Sequence, residues 1–159
     1  MGDIVMLMGK NSKLNRSDIW AGSCGVRLES HNMHITVPQD YLGEARKIIG
    51  DKPSVLFVPF TDNGKEKNLP NRTVVDVAIG LHNRGFNTIF MHTEPPPLIQ
   101  KLNCQSIVTT DLNTWKSIVA AVDYVISIDT AAFHLAGGMK KPLIGIFSWT
   151  DGKVYGKHY

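Results

Sequence analysis

Between residues 54 and 147, short apolar runs alternate with helical segments, and this alternation limits the possible folds more than any other feature of the chain. Ser54-Val55-Leu56-Phe57-Val58-Pro59 is nearly continuous in apolar character, as expected of a strand covered on both faces. Residues 73–84 have the spacing of an amphipathic helix (Val74, Val77, Ala78, Leu81), and Gly85 stops it. A second strand is predicted over 87–92. Pro95-Pro96-Pro97 then makes a stiff turn into a short helix over 98–102. Ser106-Ile107-Val108 is a short third strand, and Asp111 or Asn113 caps a helix running to about residue 122. Tyr124-Val125-Ile126-Ser127-Ile128 and Pro142-Leu143-Ile144-Gly145-Ile146-Phe147 are the fourth and fifth strands, the last ending near Ser148-Trp149. Strands alternating with helices imply an α/β fold: a parallel, doubly wound, Rossmann-like sheet with flanking helices and right-handed crossovers.

Residues 1–50 have a different texture. No periodicity marks the first fifteen residues. Asp18-Ile19-Trp20-Ala21 begins a short helix that ends near Gly22 or Gly25. His34-Ile35-Thr36-Val37 alternates as a short strand does, and Pro38 closes it. Residues 41–49 have helical spacing, with Asp40 as N-cap and Gly50 as stop. The expected organisation is therefore a partly irregular N-terminal linker or closing segment over 1–50 and a Rossmann-like domain over 51–159. The chain reaches Tyr159 soon after the fifth strand, where such a unit would close with another helix, so truncation at the C-terminal end is expected.

Size and charge bound the function classes. At 159 residues the chain suits a domain with a sizeable core. Its net charge of +3 is mild, and the basic residues are scattered rather than striped, which argues against nucleic acid as a partner. A small positive excess suits an anionic small molecule. No apolar run is long enough to span a bilayer. Met1 to Met8 is interrupted by Asp3 and lacks a basic leader, which argues against a secretory signal. The two cysteines, Cys24 and Cys104, are far apart and form no disulfide framework, so a reducing cytoplasm is the expected location.

Asp129-Thr130-Ala131-Ala132-Phe133-His134-Leu135-Ala136-Gly137-Gly138 carries the strongest chemical signal. A polar Asp-Thr pair ends an apolar strand, where α/β sheets place their ligands. Thr130 can cap the next helix, whose first N–H groups then face the crevice. His134 follows four residues later on the same helix face. The turn after the first strand adds Thr61, Lys65 and Lys67, and the turn after the second adds Thr93 and Glu94. Lysine, threonine hydroxyl and oriented N–H groups together suit a pyrophosphate, and Glu94 suits ribose hydroxyls.

Each of these residues also has a plainer reading. Thr130 serves equally well as a structural cap, and His134 as a hydrogen-bonded boundary histidine. Lys65 and Lys67 read as solvated charges, and Glu94 as a turn residue. Asp129 is harder to explain away, because a carboxylate at the end of a buried strand needs a partner. His31-x-x-His34 has metal-like spacing without a third ligand and reads as surface or loop, so no metal site is expected. No Gly-x-Gly-x-x-Gly follows the first strand, and no Walker sequence or Cys-x-x-Cys is present.

In this order the motifs resemble the ADP-heptose:lipopolysaccharide heptosyltransferase family, whose glycosyltransferase fold is of the GT-B type. Asp129 to Ala136 is similar to the family's Asp-Ser/Thr-Gly-Pro-x-His-Leu-Ala, departing at Ala131 and Ala132. Lys67-Asn68-Leu69-Pro70 resembles its Lys-x-Trp-Pro, with Leu for Trp. Lys140-Lys141-Pro142 and the following strand, with Thr150-Asp151 beyond, resemble its Lys-Pro strand and loop. The likeness covers residues 52–159, with 16–50 resembling the segment that joins the two halves.

The resemblance implies the C-terminal, donor-binding half of an inverting glycosyltransferase in lipopolysaccharide biosynthesis. Its donor would be a nucleotide-diphosphate sugar, with no cofactor. Thr130, Ala131 and Lys67 would hold the diphosphate, with Thr61 nearby. Asp129 would contact the sugar, His134 would support the site, and Glu94 would meet the ribose. The catalytic base would lie in an N-terminal half that residues 1–50 are too short to form, together with the site for an acceptor glycan or lipid-linked sugar. An uncovered face would favour self-association. The alternatives are a non-catalytic nucleotide-binding or assembly module, and half of a sugar-nucleotide epimerase.

Overall fold

The computed structural model describes residues 14–62, 64–102, 104–156 and 159. The apolar stretch from Met1 to Met8 and most of the aperiodic N-terminal segment lie outside them. In chain order the elements are α1 (Arg16–Ser23), α2 (Gln39–Ile49), β1 (Ser54–Val58), a single 3-10 turn (Lys65–Lys67), α3 (Asn71–Asn83), β2 (Asn87–His92) and α4 (Pro97–Gln100). β3 (Gln105–Val108), α5 (Leu112–Ala121), β4 (Tyr124–Ile128), α6 (Ala131–Gly138), β5 (Leu143–Ile146) and α7 (Gly152–Tyr155) follow.

The strands form one five-stranded sheet in the order β3-β2-β1-β4-β5, and every pairing is parallel. Leu56 is in register with Ile89 on one side and Val125 on the other. Strand order reverses between β1 and β4, and that reversal opens a crevice at their carboxyl ends. At the opposite end, Ser54 N and Oγ both donate to Asp123 Oδ2 at 2.8 Å, which pins the start of β1 to the start of β4.

Alternation along the strands divides the core between the two faces. Leu56, Val58, Ile89, Met91 and Val125 pack with Ala45 and Ile49 of α2, Ile118 of α5 and Ala132 of α6. Phe57, Phe90 and Ile128 pack on the other face with Val74 and Ala78 of α3 and Ile99 of α4. The Phe57 and Phe90 rings are tilted, with centroids 5.5 Å apart. Burying such a side chain fully contributes about 1.5–3 kcal/mol. Among the described residues no helix is long and apolar enough to cross a membrane.

The structure corrects three expectations. His34-Ile35-Thr36-Val37 is not a strand. No sheet edge receives it; Met33 and Ile35 instead pack against Gly138 at the end of α6. Asp40 is not the N-cap of α2, because Pro38 holds that position with φ −62° and ψ 137°. Asp40 falls in the first turn, where a negative charge still suits the helix dipole. β5 stops at Ile146, short of Phe147 and Ser148-Trp149. A single helical turn, α7, follows it, and its cap Asp151 accepts from Lys153 N.

Candidate functional site

β4 carries Asp129 out of the sheet into a set of polar side chains from distant segments. Asp129 is buried, with 8% of the residue's surface exposed. Lys67 Nζ, from the 3-10 turn after β1, donates to Oδ2 at 3.0 Å, and Thr150 Oγ1, from the turn after β5, donates to the same oxygen at 3.0 Å. His134 Nε2 approaches Oδ1 at 3.4 Å. Burial alone would raise the Asp129 carboxyl; the contacts from His134, Lys67 and Thr150, with the Lys67 charge, outweigh it and hold the group far below the carboxylate range. Asp129 is thus a fixed anion at neutral pH. His134 Nδ1 faces the Tyr159 hydroxyl at 3.0 Å.

Thr130 occupies the N-cap position of α6 in extended conformation but does not cap it with its side chain. Its hydroxyl instead pairs with Ser127 Oγ at 2.9 Å, and Ser127 Oγ donates to Ile128 O. Among the described residues, no side-chain oxygen accepts from the N–H groups of the first turn of α6. Such a helix start favours an anion.

A cavity of about 330 Å³ opens beside that turn. It lies at the small end of the roughly 300–1,000 Å³ range of ligand sites. Thr61 and Asp62 after β1, Thr93 and Glu94 after β2, and Thr130 and Ala131 at the start of α6 supply its polar rim. Met91, Trp115 and Leu135 supply apolar wall. Thr93 Oγ1 donates to Asp62 Oδ2 at 2.9 Å, joining the turns after β1 and β2. Thr61 N donates to Asn68 Oδ1 at 2.8 Å, which folds the lysine-bearing turn back on itself. His92 also lines the cavity; burial pushes its imidazole below the ordinary value, and Asp62 opposes that shift.

The residues singled out from sequence fall into two adjoining groups. Thr61, Glu94, Thr130 and Ala131 line the cavity. Lys67, Asp129 and His134 form the ion-paired cluster at the root of α6 and do not line it. Lys65 is exposed in the turn. His31 is taken up by Asp18, its Nε2 2.6 Å from Oδ1. Among the described residues no group of three His, Cys, Asp or Glu side chains is placed to hold a metal ion. Sequence reading overlooks Tyr159, Ser127, His92 and Trp115, and it gives Thr150 no role. Thr150 alone carries a signal, as a hydroxyl just past the fifth strand.

The family model for glycosyltransferase family 9 (heptosyltransferase) matches residues 16–157. A solved glycosyl transferase family 9 protein from Veillonella parvula superposes with a TM-score of 0.73 at 17% identity, covering 92% of this chain and 47% of that one. E. coli heptosyltransferase WaaC with ADP gives 0.64 at 19% identity, covering 90% and 47%. E. coli ADP-heptose lps heptosyltransferase II gives 0.65 at 16% identity, covering 76% and 41%. At these identities the likeness is one of fold. The chain spans less than half the length of each solved protein. No curated protein matches the sequence.

Proposed function

This chain belongs to glycosyltransferase family 9 (heptosyltransferase), and from that premise we propose that its cavity binds the nucleotide diphosphate of a sugar donor. The observation that carries this reading is a convergence. The start of α6 and the Thr61 and Glu94 turns line one cavity at the carboxyl edge of the sheet, and the Lys67–Asp129 pair adjoins it. WaaC has been solved with ADP, which makes an adenine nucleotide the first ligand to test.

In this reading Glu94 accepts from ribose hydroxyls, and Trp115 and Leu135 bound the base. The α6 N–H groups and Thr130 face the diphosphate. Lys67 has three donor hydrogens; it keeps one on Asp129 while another reaches a phosphoryl oxygen. Asp129, anchored by Thr150 and His134, orients that ammonium and faces the sugar. Transfer then breaks the bond from the anomeric carbon to the diphosphate, and the acceptor oxygen bonds to that carbon from the opposite side. Negative charge grows on the departing diphosphate, where Lys67 and the helix start stabilise it. The acceptor proton passes to a base. We assign that base and the glycan or lipid-linked acceptor to a second half of the enzyme, and the donor-binding role to residues 51–159.

A non-catalytic nucleotide-binding module is the second reading. Ala131 favours it, because its methyl group lines the cavity at the first residue of α6, where close approach of a phosphate matters. Calorimetric titration with ADP, UDP and GDP tests the shared premise. Saturable binding that Lys67→Ala and Thr130→Val weaken is expected; no binding of any of the three overturns it. Product analysis with a nucleotide sugar and acceptor, with the second half supplied, separates the two readings.

A further inference from the structure

We infer that Tyr159 is a positioning residue of this site: its hydroxyl holds His134 in the tautomer that carries hydrogen on Nε2, so that the ring can donate to Asp129. The effect on ligand affinity rests on the nucleotide-binding reading above. The effect on the histidine does not.

Carboxylate chemistry fixes one end of the chain of contacts. Ionised Asp129 can only accept hydrogen bonds. Its Oδ1 faces His134 Nε2 at 3.4 Å, so a bare nitrogen there would set lone pair against lone pair. A neutral imidazole with hydrogen on Nε2 leaves Nδ1 as an acceptor. The group facing Nδ1 is the Tyr159 hydroxyl at 3.0 Å, a donor of the required kind. Burial pushes the Tyr159 phenol up and the Arg16 charge pulls it down, the net being upward; the hydroxyl keeps its proton at neutral pH.

Tyr159 is 45% exposed, yet its ring has defined neighbours. Its centroid lies 5.4 Å from that of Phe133 and 5.6 Å from that of His134, both at steep interplanar angles. It also lies directly over Gly137, where any Cβ would collide with it. Gly137, in the last turn of α6, leaves the space that lets Tyr159 reach His134. With Tyr159 on Nδ1, His134 holds Oδ1 and leaves Oδ2 to Lys67 and Thr150.

Nitrogen-15 NMR of the imidazole in ligand-free protein tests the assignment. In the pH range where those spectra show a neutral ring, the wild type should carry hydrogen on Nε2 of His134 and none on Nδ1. Tyr159→Phe should shift both nitrogens toward a tautomer mixture while the melting curve stays cooperative. Gly137→Ala, which displaces the ring but keeps the hydroxyl, should do the same. ADP affinity should fall roughly 2- to 10-fold in Tyr159→Phe, the weight of one hydrogen bond. A wild-type histidine protonated on Nδ1 alone, or His134 nitrogens unmoved by Tyr159→Phe, overturns the inference. If ADP fails to bind the wild type but the tautomer responds, the nucleotide reading falls and the role of Tyr159 stands.

Discussion

Lys67 Nζ lies 3.0 Å from Asp129 Oδ2 across 62 positions of sequence, so the turn after β1 and the end of β4 share one rim of the sheet. Removing the lysine takes the cation from a buried carboxylate and leaves it to Thr150 and His134. Lys67→Ala should destabilise the fold by about 1–3 kcal/mol, the cost of a buried charge-bearing group losing its partner. The double variant Lys67→Ala with Asp129→Asn should recover part of that loss, since the residues act as a unit. Urea unfolding of the single and double variants measures the coupling, and simple additivity would show that the pair is energetically idle.

Acid should release the same anchor. Asp129 titrates below its unfolded value of about 3.9. The sign follows directly: its contribution is complete above the unfolded value and is lost as pH falls through the folded one. Wild-type stability should therefore decline below about pH 4. Asp129→Asn should flatten that decline, as chemical denaturation across pH 2–6 (range set about the carboxylate value) would show. An equally steep fall in the variant would place the acid-sensitive group elsewhere.

Ala131 begins α6 with an exposed methyl group beside the cavity. Ala131→Gly should open the approach of a phosphate to the helix N–H groups and tighten ADP binding, at a stability cost of up to about 1 kcal/mol. Ala131→Val should weaken binding. Calorimetry and thermal unfolding on the same samples separate the two effects. Unchanged affinity in both variants would show that the ligand does not approach this turn.

Leu56 is wholly buried at the centre of the sheet, between Ile89 and Val125. Leu56→Ala should cost about 2–5 kcal/mol. Urea unfolding measures this, and a loss well under 1 kcal/mol would mean that the sheet repacks around the void.

The parallel sheet and the rim on which the candidate site lies are legible in sequence because few arrangements satisfy alternating buried strands and amphipathic helices. Once β1, β2 and β4 are parallel, their following turns must share an edge, and Thr61, Glu94 and Asp129 come together there without further information. The partners of Asp129 are not legible in that way. Nothing local to Lys67 or Thr150 specifies contact with β4, because the contact is made only when β1, β4 and β5 have been stacked in register. Tyr159 is harder still, since its place depends on the space above Gly137, and a glycine near a helix end reads first as a stop. His34-Ile35-Thr36-Val37 misleads for a related reason: alternation marks an extended segment with one face covered, and strand pairing also requires a free edge alongside. Thr130 sits where a cap belongs, yet the buried Ser127 hydroxyl, two residues back along the strand from Asp129, claims its side chain.

Amide NMR during an ADP titration tests the central claim most directly. Saturable shifts should concentrate at Thr61, Glu94, Thr130, Ala131 and Ala132, with a response at the Lys67 ammonium. Shifts that are absent, or that gather instead on α1 and the segment following it, would contradict a nucleotide-diphosphate site at the start of α6.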